Sequence, residues 1–252
     1  MNLTNFKENL LQSKLWPLIK TEDTIAVFLV GSQLYPRITD THSDIDIMCL
    51  TTRKRDWEYW PLYSFEYEGR HGHWAYWQLE EALLYKVPLD ISAERWHHNQ
   101  GIQQFLTLGD IIWIRDDYKW ILDFLKKHAK ERLIISSYVS FNYTWTPAHL
   151  TAENYYWPKE KTAWAVLFSS YLLQNKEPNW DLILKSKRSS FPSTETFLTS
   201  QEEQERKEQI LWLRDFILQH PVNIPQMMIE LQAQFTQKLM EVNGIEPYKF
   251  NF

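Results

Sequence analysis

The period of the hydrophobic pattern changes part-way along the chain. Up to about residue 118, short apolar runs are separated by polar turns, and after it apolar residues recur at helical spacing. Continuous apolar and β-branched runs are typical of buried strands, and alternation on both sides of residues 69–72 predicts a β-hairpin. The predicted strands cover residues 25–30, 45–50, 87–92 and 108–115, with the hairpin over 62–77.

Helical spacing predicts one helix before the first strand and several in the second half. The first covers residues 4–19, with Thr4 as its N-cap. Ser200 and Glu203 form a capping-box pattern at the start of a later helix. Helices are also predicted over 120–128, within 132–156, after Pro158 and from Pro225 to Gly244, whereas 175–199 is predicted to be a polar loop.

The length fits one large or two modest domains, and the change of pattern favours two, which we place at residues 1–120 (α/β) and 121–252 (helical). The chain has a single cysteine, Cys49, which is expected to be packed in the second strand; it allows no internal disulfide and no cysteine-based zinc site. The N-terminus lacks the pattern of a signal peptide, and no apolar run approaches the ~20 residues of a membrane span. We therefore expect a cytoplasmic protein without a membrane segment.

The net charge of −5 is concentrated in the first half of the chain. Residues 1–120 hold 12 Lys/Arg and 17 Asp/Glu, whereas residues 121–252 hold 15 of each. Proteins that bind nucleic acid usually carry a basic stripe, so this distribution disfavours nucleic acid as a partner. An acidic half suits metal ions or a cationic acceptor.

The most informative stretch combines a Gly-Ser turn with two carboxylates. Gly31-Ser32 ends the first predicted strand, and Asp44 and Asp46 lie at the second. Side chains alternate along a strand, so the two carboxylates point to one face, where they repel unless a cation lies between them. Magnesium prefers carboxylate and phosphate oxygens, and glycine lets a phosphate approach the backbone. The alternative is a solvated edge strand beside an ordinary turn.

The segments Val30-Gly31-Ser32 and Ser43-Asp44-Ile45-Asp46-Ile47 together resemble the nucleotidyltransferase superfamily typified by DNA polymerase beta. The resemblance implies an α+β fold: a polymerase beta-like domain with a mixed sheet and flanking helices, followed by a C-terminal helical bundle that binds the substrate. It also implies that Gly31 and Ser32 contact the triphosphate of an NTP, and that Asp44 and Asp46 hold two Mg²⁺ ions. Asp90, a lone charge in an apolar run, would be the third carboxylate, either as a metal ligand or as the base for the acceptor hydroxyl.

Other residues admit both a functional and a structural interpretation. Lys161 would reach the β- or γ-phosphate, although a solvent-facing lysine is the alternative. Arg214 and His220 resemble the arginine–histidine motif of HEPN ribonucleases, but this spacing also arises by chance in an amphipathic helix. The histidines at 71, 73, 97 and 98 match no common zinc spacing and are expected at the surface. The aromatic residues between Trp57 and Trp77 are expected to pack the hairpin against the core rather than to stack a ligand.

The resemblance implies an enzyme that transfers a nucleoside monophosphate from an NTP to a hydroxyl of a small molecule, with release of pyrophosphate. The layout is similar to that of antibiotic nucleotidyltransferases that modify aminoglycosides or lincosamides, so the expected acceptor is aminoglycoside-like. Two alternatives remain open. One is nucleotidylation of a protein or tRNA in a toxin–antitoxin system, and the other is nucleotide binding without catalysis. The sequence specifies neither the acceptor, nor the base, nor the oligomeric state.

Overall fold

A computed structural model describes nine segments of the chain: residues 2–35, 37, 43–52, 63–79, 110–145, 149–157, 163–189, 197–219 and 223–244. The predicted strand over 87–92, with Asp90, lies outside these residues, as do Lys161 and His220. Within them, a five-stranded mixed sheet is accompanied by helices. The fold is thus mixed α/β, in agreement with the α+β expectation. The polymerase beta-like topology and the C-terminal bundle stay predictions.

The sheet confirms the strand prediction for the segments that the structure describes. Its strands are β1 (Thr24–Val30), β2 (Ile45–Thr51), β3 (Tyr63–Tyr67), β4 (Arg70–Gln78) and β5 (Asp110–Ile114). They lie in the order β3-β4-β2-β1-β5. Strands β2 and β4 run parallel, and the other neighbouring pairs run antiparallel. The β3–β4 pair is the predicted hairpin, but it turns at Glu68 and Gly69 rather than over 69–72, because Arg70 and Gly72 already pair with β3.

One face of the sheet forms a hydrophobic core with the N-terminal helices. Alternate residues of β2, namely Ile45, Ile47 and Cys49, point to this face and are buried, as the period of two requires. Cys49 is a buried thiol that forms no disulfide and packs in this cluster, as expected. The remaining buried members of this cluster are Phe6, Leu10, Ile19, Val27, Leu29, Trp74 and Tyr76.

The prediction of one helix over 4–19 is wrong, because two short helices occupy this segment. They are α1 (Leu3–Gln12) and α2 (Trp16–Ile19). The backbone N–H and the hydroxyl of Ser13 both donate to the carbonyl of Leu10, and the extended conformation of Ser13 ends α1. The N-cap is Asn2 rather than Thr4, since Asn2 Oδ1 accepts from the N–H groups of Thr4 (3.0 Å) and Asn5 (3.2 Å).

Chain contacts divide the protein into two compact units. The sheet unit comprises Met1–Lys86, Leu108–Lys127 and Glu230–Phe252, and the helical unit comprises Val87–Thr107 and His128–Ile229. The division predicted at residue 120 stays a prediction. None of the helices in the described segments is long and apolar enough to cross a membrane.

In the sheet unit, helix α3 (Trp120–Lys127) packs against the second half of the last helix, α8 (Asn223–Asn243). The ring of Phe235 lies 5.1 Å from those of both Trp120 and Phe124. Trp120 Nε1 also donates to the side-chain carbonyl of Asn243 at 2.9 Å. Gly244, with φ +64°, follows the helix as predicted.

The helical unit contains α4 (Ala129–Thr144), α5 (Ala163–Leu173), α6 (Trp180–Ser189) and α7 (Ser200–Gln219). Helix α5 contacts each of the other three, and its residues 163–171 are all buried. Polar side chains also meet between α5 and α7, where the Ser170 hydroxyl donates to Gln209 Oε1 at 2.9 Å. The apolar sequence of α5 is therefore that of a central helix.

Two predictions for this unit are wrong. The segment 175–199 is not only loop, because α6 forms within it. Asn179 caps this helix by accepting from the Leu182 N–H at 3.2 Å, and Leu182 and Ile183 are fully buried. The capping box of α7 is Thr199 with Glu202, one residue earlier than the pair predicted. Thr199 N–H donates to Glu202 Oε2 (2.8 Å), and Glu202 N–H donates to Thr199 Oγ1 (3.2 Å).

Candidate active site

The two predicted carboxylates lie at the start of a central strand. Asp44 immediately precedes β2, Asp46 is its second residue, and both are half-buried. Since Ile45 and Ile47 are buried in the core, Asp46 faces the opposite side of the sheet. Strand β2 is paired along both edges, with β1 and with β4. The solvated edge strand is therefore excluded as an explanation of the Asp-x-Asp pattern.

Gly31 brings the end of β1 against the Asp46 carboxylate. Asp46 is paired with Val30, the last residue of β1, and Gly31 follows it with φ +81°. This left-handed conformation favours glycine. A Cβ on Gly31 would lie 2.7 Å from Asp46 Oδ2, a separation that real Cβ atoms essentially never show. A residue without a side chain is thus needed for both the turn and the position of the carboxylate.

Two polar side chains hold the residue that precedes Asp44. Gln33, in the 3-10 turn Ser32–Leu34, is buried and donates from Nε2 to the Ser43 carbonyl at 2.7 Å. Arg70 of β4 donates to the same carbonyl at 3.5 Å. These two hydrogen bonds therefore connect the start of β2 to the turn after Gly31 and to strand β4. Sequence reasoning missed Gln33 and Arg70, because contacts across 10 and 27 residues leave no local signal.

The hydroxyl of Tyr35 lies just after the same turn. Burial raises the pKa of Tyr35, since the phenolate would lose its hydration. The hydroxyl therefore stays protonated throughout the physiological pH range.

Strand β4 places a histidine beside Asp46. His73 is in direct register with Asp46 in the parallel pair, so its side chain lies on the same face. Its Nδ1 is 3.3 Å from Ser64 Oγ, and its ring meets that of His71 edge-to-face at 4.4 Å. His71, exposed at the surface as expected, pairs with Glu66 at 2.9 Å. The alternating pattern of the hairpin could have indicated which face of β4 carries His73. The sequence did not show, however, that β4 pairs with β2.

The two carboxylates of Asp44 and Asp46 suit Mg²⁺ better than a metal ion whose ligands all come from protein side chains. The described residues contain no group of three or more His, Cys, Asp or Glu side chains placed to hold a metal ion. Mg²⁺ usually takes one or two protein carboxylates and completes its octahedron with phosphate oxygens and water. Asp44 and Asp46 provide two such carboxylates, and they lie beside the Gly31 turn.

The other candidate residues have more varied outcomes. Ser32 begins the 3-10 turn after Gly31, whereas Asp90 and Lys161 lie outside the described residues and stay predictions. Arg214 pairs with Asp215 and donates to the Leu150 carbonyl at 2.5 Å, which gives it a structural role. Packing against the core is confirmed for Phe65, Tyr67, Trp74 and Tyr76, whereas Tyr63 is exposed. Trp74 and Tyr76 are buried, Phe65 and Tyr67 pack against the core, and Tyr63 stacks on Trp74 at 4.8 Å.

Comparisons with known proteins are sparse. No protein-family model matches the chain, and no curated protein matches it. Among solved structures, the chain is similar to a nucleotidyltransferase-like protein from Exiguobacterium sibiricum, at 15% identity and a TM-score of 0.33, over 95% of this chain and 88% of that one. At this TM-score the similarity supports no conclusion about fold or activity, so a function has to be sought in the site itself.

Proposed function

We propose that the protein is a magnesium-dependent nucleotidyltransferase that transfers a nucleoside monophosphate from an NTP to a hydroxyl of a small molecule. One observation supports this above all. The Gly31 turn and the Asp46 carboxylate are in immediate proximity on a central strand, with Asp44 two residues before Asp46. A backbone that a phosphate can approach thus adjoins the carboxylates that a phosphate-bound metal needs. An aminoglycoside-like antibiotic is the acceptor that we propose for the reaction.

In this proposal, Asp44 and Asp46 hold the metal, and Asp90 adds a third carboxylate. Bound Mg²⁺ would offset the negative charge of the triphosphate and favour ionisation of the attacking hydroxyl. Gly31 and the backbone of Ser32 bind the phosphates, and Lys161 adds a cation at the β- or γ-phosphate. Gln33 and Arg70 act as positioning residues, because their hydrogen bonds to the Ser43 carbonyl fix the start of β2.

The chemical step is an in-line substitution at the α-phosphorus. The acceptor oxygen forms a bond to the α-phosphorus while the bond from that phosphorus to the bridging oxygen breaks, so pyrophosphate leaves. The hydroxyl proton passes to Asp90 or to solvent. The residues contribute mainly by orientation and by electrostatic stabilisation of the transition state.

The test is pyrophosphate release from a panel of NTPs with Mg²⁺, with and without aminoglycoside acceptors. Asp46→Asn keeps the shape of the side chain and removes its charge, so it should lower the rate by at least about 100-fold. Asp181→Asn, an exposed position in α6, is the matched control and should retain activity. Equal activity of Asp46→Asn and wild type would contradict the proposal.

Two further measurements separate the alternatives left open by the sequence. Labelled nucleotide that appears on a protein or tRNA in lysate, rather than on a small molecule, identifies a macromolecular acceptor. NTP binding that does not depend on Mg²⁺, without turnover by the wild type, identifies a non-catalytic nucleotide-binding protein.

A further inference from the structure

The hairpin of β3 and β4 has one apolar and one polar face. The aromatic side chains that point to the hydrophobic core are those of Phe65, Tyr67, Trp74 and Tyr76. The opposite face, here called the polar face of the hairpin, carries Ser64, Glu66, His71 and His73. Asp46 points to the same side of the sheet, because it is in direct register with His73. The polar face therefore continues from the candidate active site.

One row of side chains leads from the active site across the hairpin. Asp46 of β2 pairs with His73 of β4, and His73 pairs with Ser64 of β3. Since neighbouring strands lie about 4.8 Å apart, this row spans about 10 Å. His71 and Glu66 form the next pair on the same face, with Nδ1 and Oε1 2.9 Å apart. The polar face is thus wide enough for one small molecule beside the carboxylates.

The polar face of the hairpin is open to solvent. The side chains of His71 and Glu66 are 52% and 68% exposed, and Ser64 is also exposed. Further along the same side of the sheet, Met48 and Phe28 are buried. A molecule that reacts near Asp46 can therefore extend over the hairpin, but not along β2 towards Met48.

Contacts on the apolar face hold the hairpin in position. Phe65 covers Gly72 so closely that a Cβ on Gly72 would lie 2.3 Å from Phe65 Cζ. The ring of Tyr67 meets that of Phe6 edge-to-face at 4.9 Å, and its hydroxyl accepts from Asn9 Nδ2 at 2.9 Å. Strand β3 is therefore held both to β4 and to α1. A site on a rigid pair of strands keeps its side chains in a defined position.

The strand order determines the side from which an acceptor approaches in the proposed reaction. Strand β1, which ends at the Gly31 turn, and strand β4 flank β2 on opposite sides. A triphosphate bound at Gly31 has its leaving pyrophosphate on the β1 side of Asp46. The attacking and leaving oxygens of phosphoryl transfer are roughly in line, so the attacking hydroxyl comes from the side of β4 and β3. The acceptor then lies on the polar face of the hairpin.

We propose that the polar face of the hairpin is the acceptor subsite and that Glu66 selects acceptors with an amino group, an inference that rests on the proposed function. Within the described segments, only Oε1 of Glu66 is hydrogen-bonded, so Oε2 is left for a ligand. An ammonium group there forms a charge-assisted hydrogen bond. With the hydroxyl near β2 and the ammonium group at β3, the two groups lie about 5–10 Å apart. This separation suits an amino sugar whose amine lies across the ring from the reacting hydroxyl, with Ser64 and His73 beneath the ring.

The first experiment measures binding by calorimetric titration of the full chain with neomycin, with Mg²⁺, without nucleotide and at physiological ionic strength. Trehalose, a neutral sugar, tests the need for an amine and should not bind measurably. Glu66→Gln should weaken neomycin by about tenfold. Glu68→Gln removes an exposed carboxylate at the turn of the same hairpin and should bind like wild type. Equal losses in the two variants, or no binding of neomycin by the wild type, would overturn the proposal.

Asp46→Asn distinguishes the hairpin from the metal carboxylates as the place where neomycin binds. In this variant, neomycin should still bind, and adding Glu66→Gln should weaken it by about tenfold. Loss of binding in Asp46→Asn with retention in Glu66→Gln would locate the ligand at the carboxylates and refute the subsite. Thermal unfolding checks that each variant is folded.

The second experiment separates the subsite from the reaction itself. In pyrophosphate release with Mg²⁺, NTP and neomycin, Glu66→Gln should raise the KM for neomycin by about tenfold and leave the KM for the NTP unchanged. Glu66→Asp keeps the charge and should recover most of the loss. Release that is insensitive to Glu66→Gln would refute the subsite and leave the transferase proposal intact. Binding of neomycin that depends on Glu66, without release of pyrophosphate from any NTP, would refute the transferase proposal and leave an amino-sugar site.

Discussion

Replacing Gly31 by alanine tests the central geometric relation of the candidate active site. The substitution has two separable costs. An alanine at φ +81° is strained by about 1–2 kcal/mol. In addition, its Cβ would lie 2.7 Å from Asp46 Oδ2, so the carboxylate has to leave its rotamer, which costs about 0.5–1.5 kcal/mol more. We therefore expect Gly31→Ala to lower the free energy of unfolding by about 1.5–3.5 kcal/mol in total.

Gly69 provides a control in which only the first cost arises. Its φ is +72°, and a Cβ there would meet nothing within 4 Å. Gly69→Ala should therefore cost about 1–2 kcal/mol. Because a chain of this length loses about 2–4 °C in Tm per kcal/mol, Gly31→Ala should unfold a few degrees below Gly69→Ala. Circular dichroism during heating, supported by urea unfolding, measures the difference.

A double-mutant cycle with Asp46→Ala assigns the excess to the carboxylate. That substitution removes Oδ2 and leaves the Cβ of residue 46 at 3.6 Å, an ordinary contact. In this background, Gly31→Ala should cost no more than Gly69→Ala, which gives a coupling energy of about 1 kcal/mol between the two sites. The reasoning is refuted if Gly31→Ala is no more destabilising than Gly69→Ala, or if its excess cost persists without the carboxylate.

Two further predictions concern the start of α7. Thr199→Ala removes the hydroxyl that accepts from the Glu202 N–H, so it should lower the free energy of unfolding measured in urea by about 1 kcal/mol. Ser200→Ala should be nearly neutral. The reverse order of the two variants would contradict the assigned cap. The hydrogen bond from Lys185 holds the pKa of Glu202 below its usual value, followed by that from the Thr199 N–H. The resulting stability is present above the unfolded-state pKa and is lost as the pH falls through the lower folded-state pKa. The Tm of Glu202→Gln should therefore lie below that of wild type at pH 7 and approach it in acid, whereas a gap that stays constant down to about pH 2 would contradict this linkage.

The sequence predicted the sheet well because its strands are long apolar or alternating runs. Strands β1 and β2 are buried along nearly their whole length. Their apolar sequences therefore predict strands whichever neighbours they pair with. The proximity of Gly31 and Asp46 was predictable for a similar reason, whereas the function of these residues stays a prediction. Gly31 and Asp46 are each identifiable by residue type, and the two strands that carry them are neighbours in sequence and in space.

Some of the missed features depend on contacts between distant parts of the chain, and others on local signals that were misinterpreted. His73 is beside Asp46 only because β4 pairs parallel with β2, and residue spacing does not reveal that choice. Helix α6 was missed because Asn179 and Pro178 gave its start the composition of a loop, although Asn179 is the cap that begins the helix. Serine and threonine cap helices almost equally well, so a Thr-Ser pair left the start of α7 uncertain by one residue.

The position of Cys49 gives the protein its own internal probe of strand opening. The thiol is fully buried in β2, three residues after Asp46, and it is the only cysteine in the chain. The thiolate is the nucleophile that attacks a thiol reagent, so alkylation of Cys49 requires β2 to separate from the sheet or the surrounding core to open. When reclosing is faster than alkylation, the labelling rate reports the equilibrium free energy of that opening. The local stability of the strand that carries the carboxylates can thus be followed in the unmodified protein, by mass spectrometry and without an engineered label.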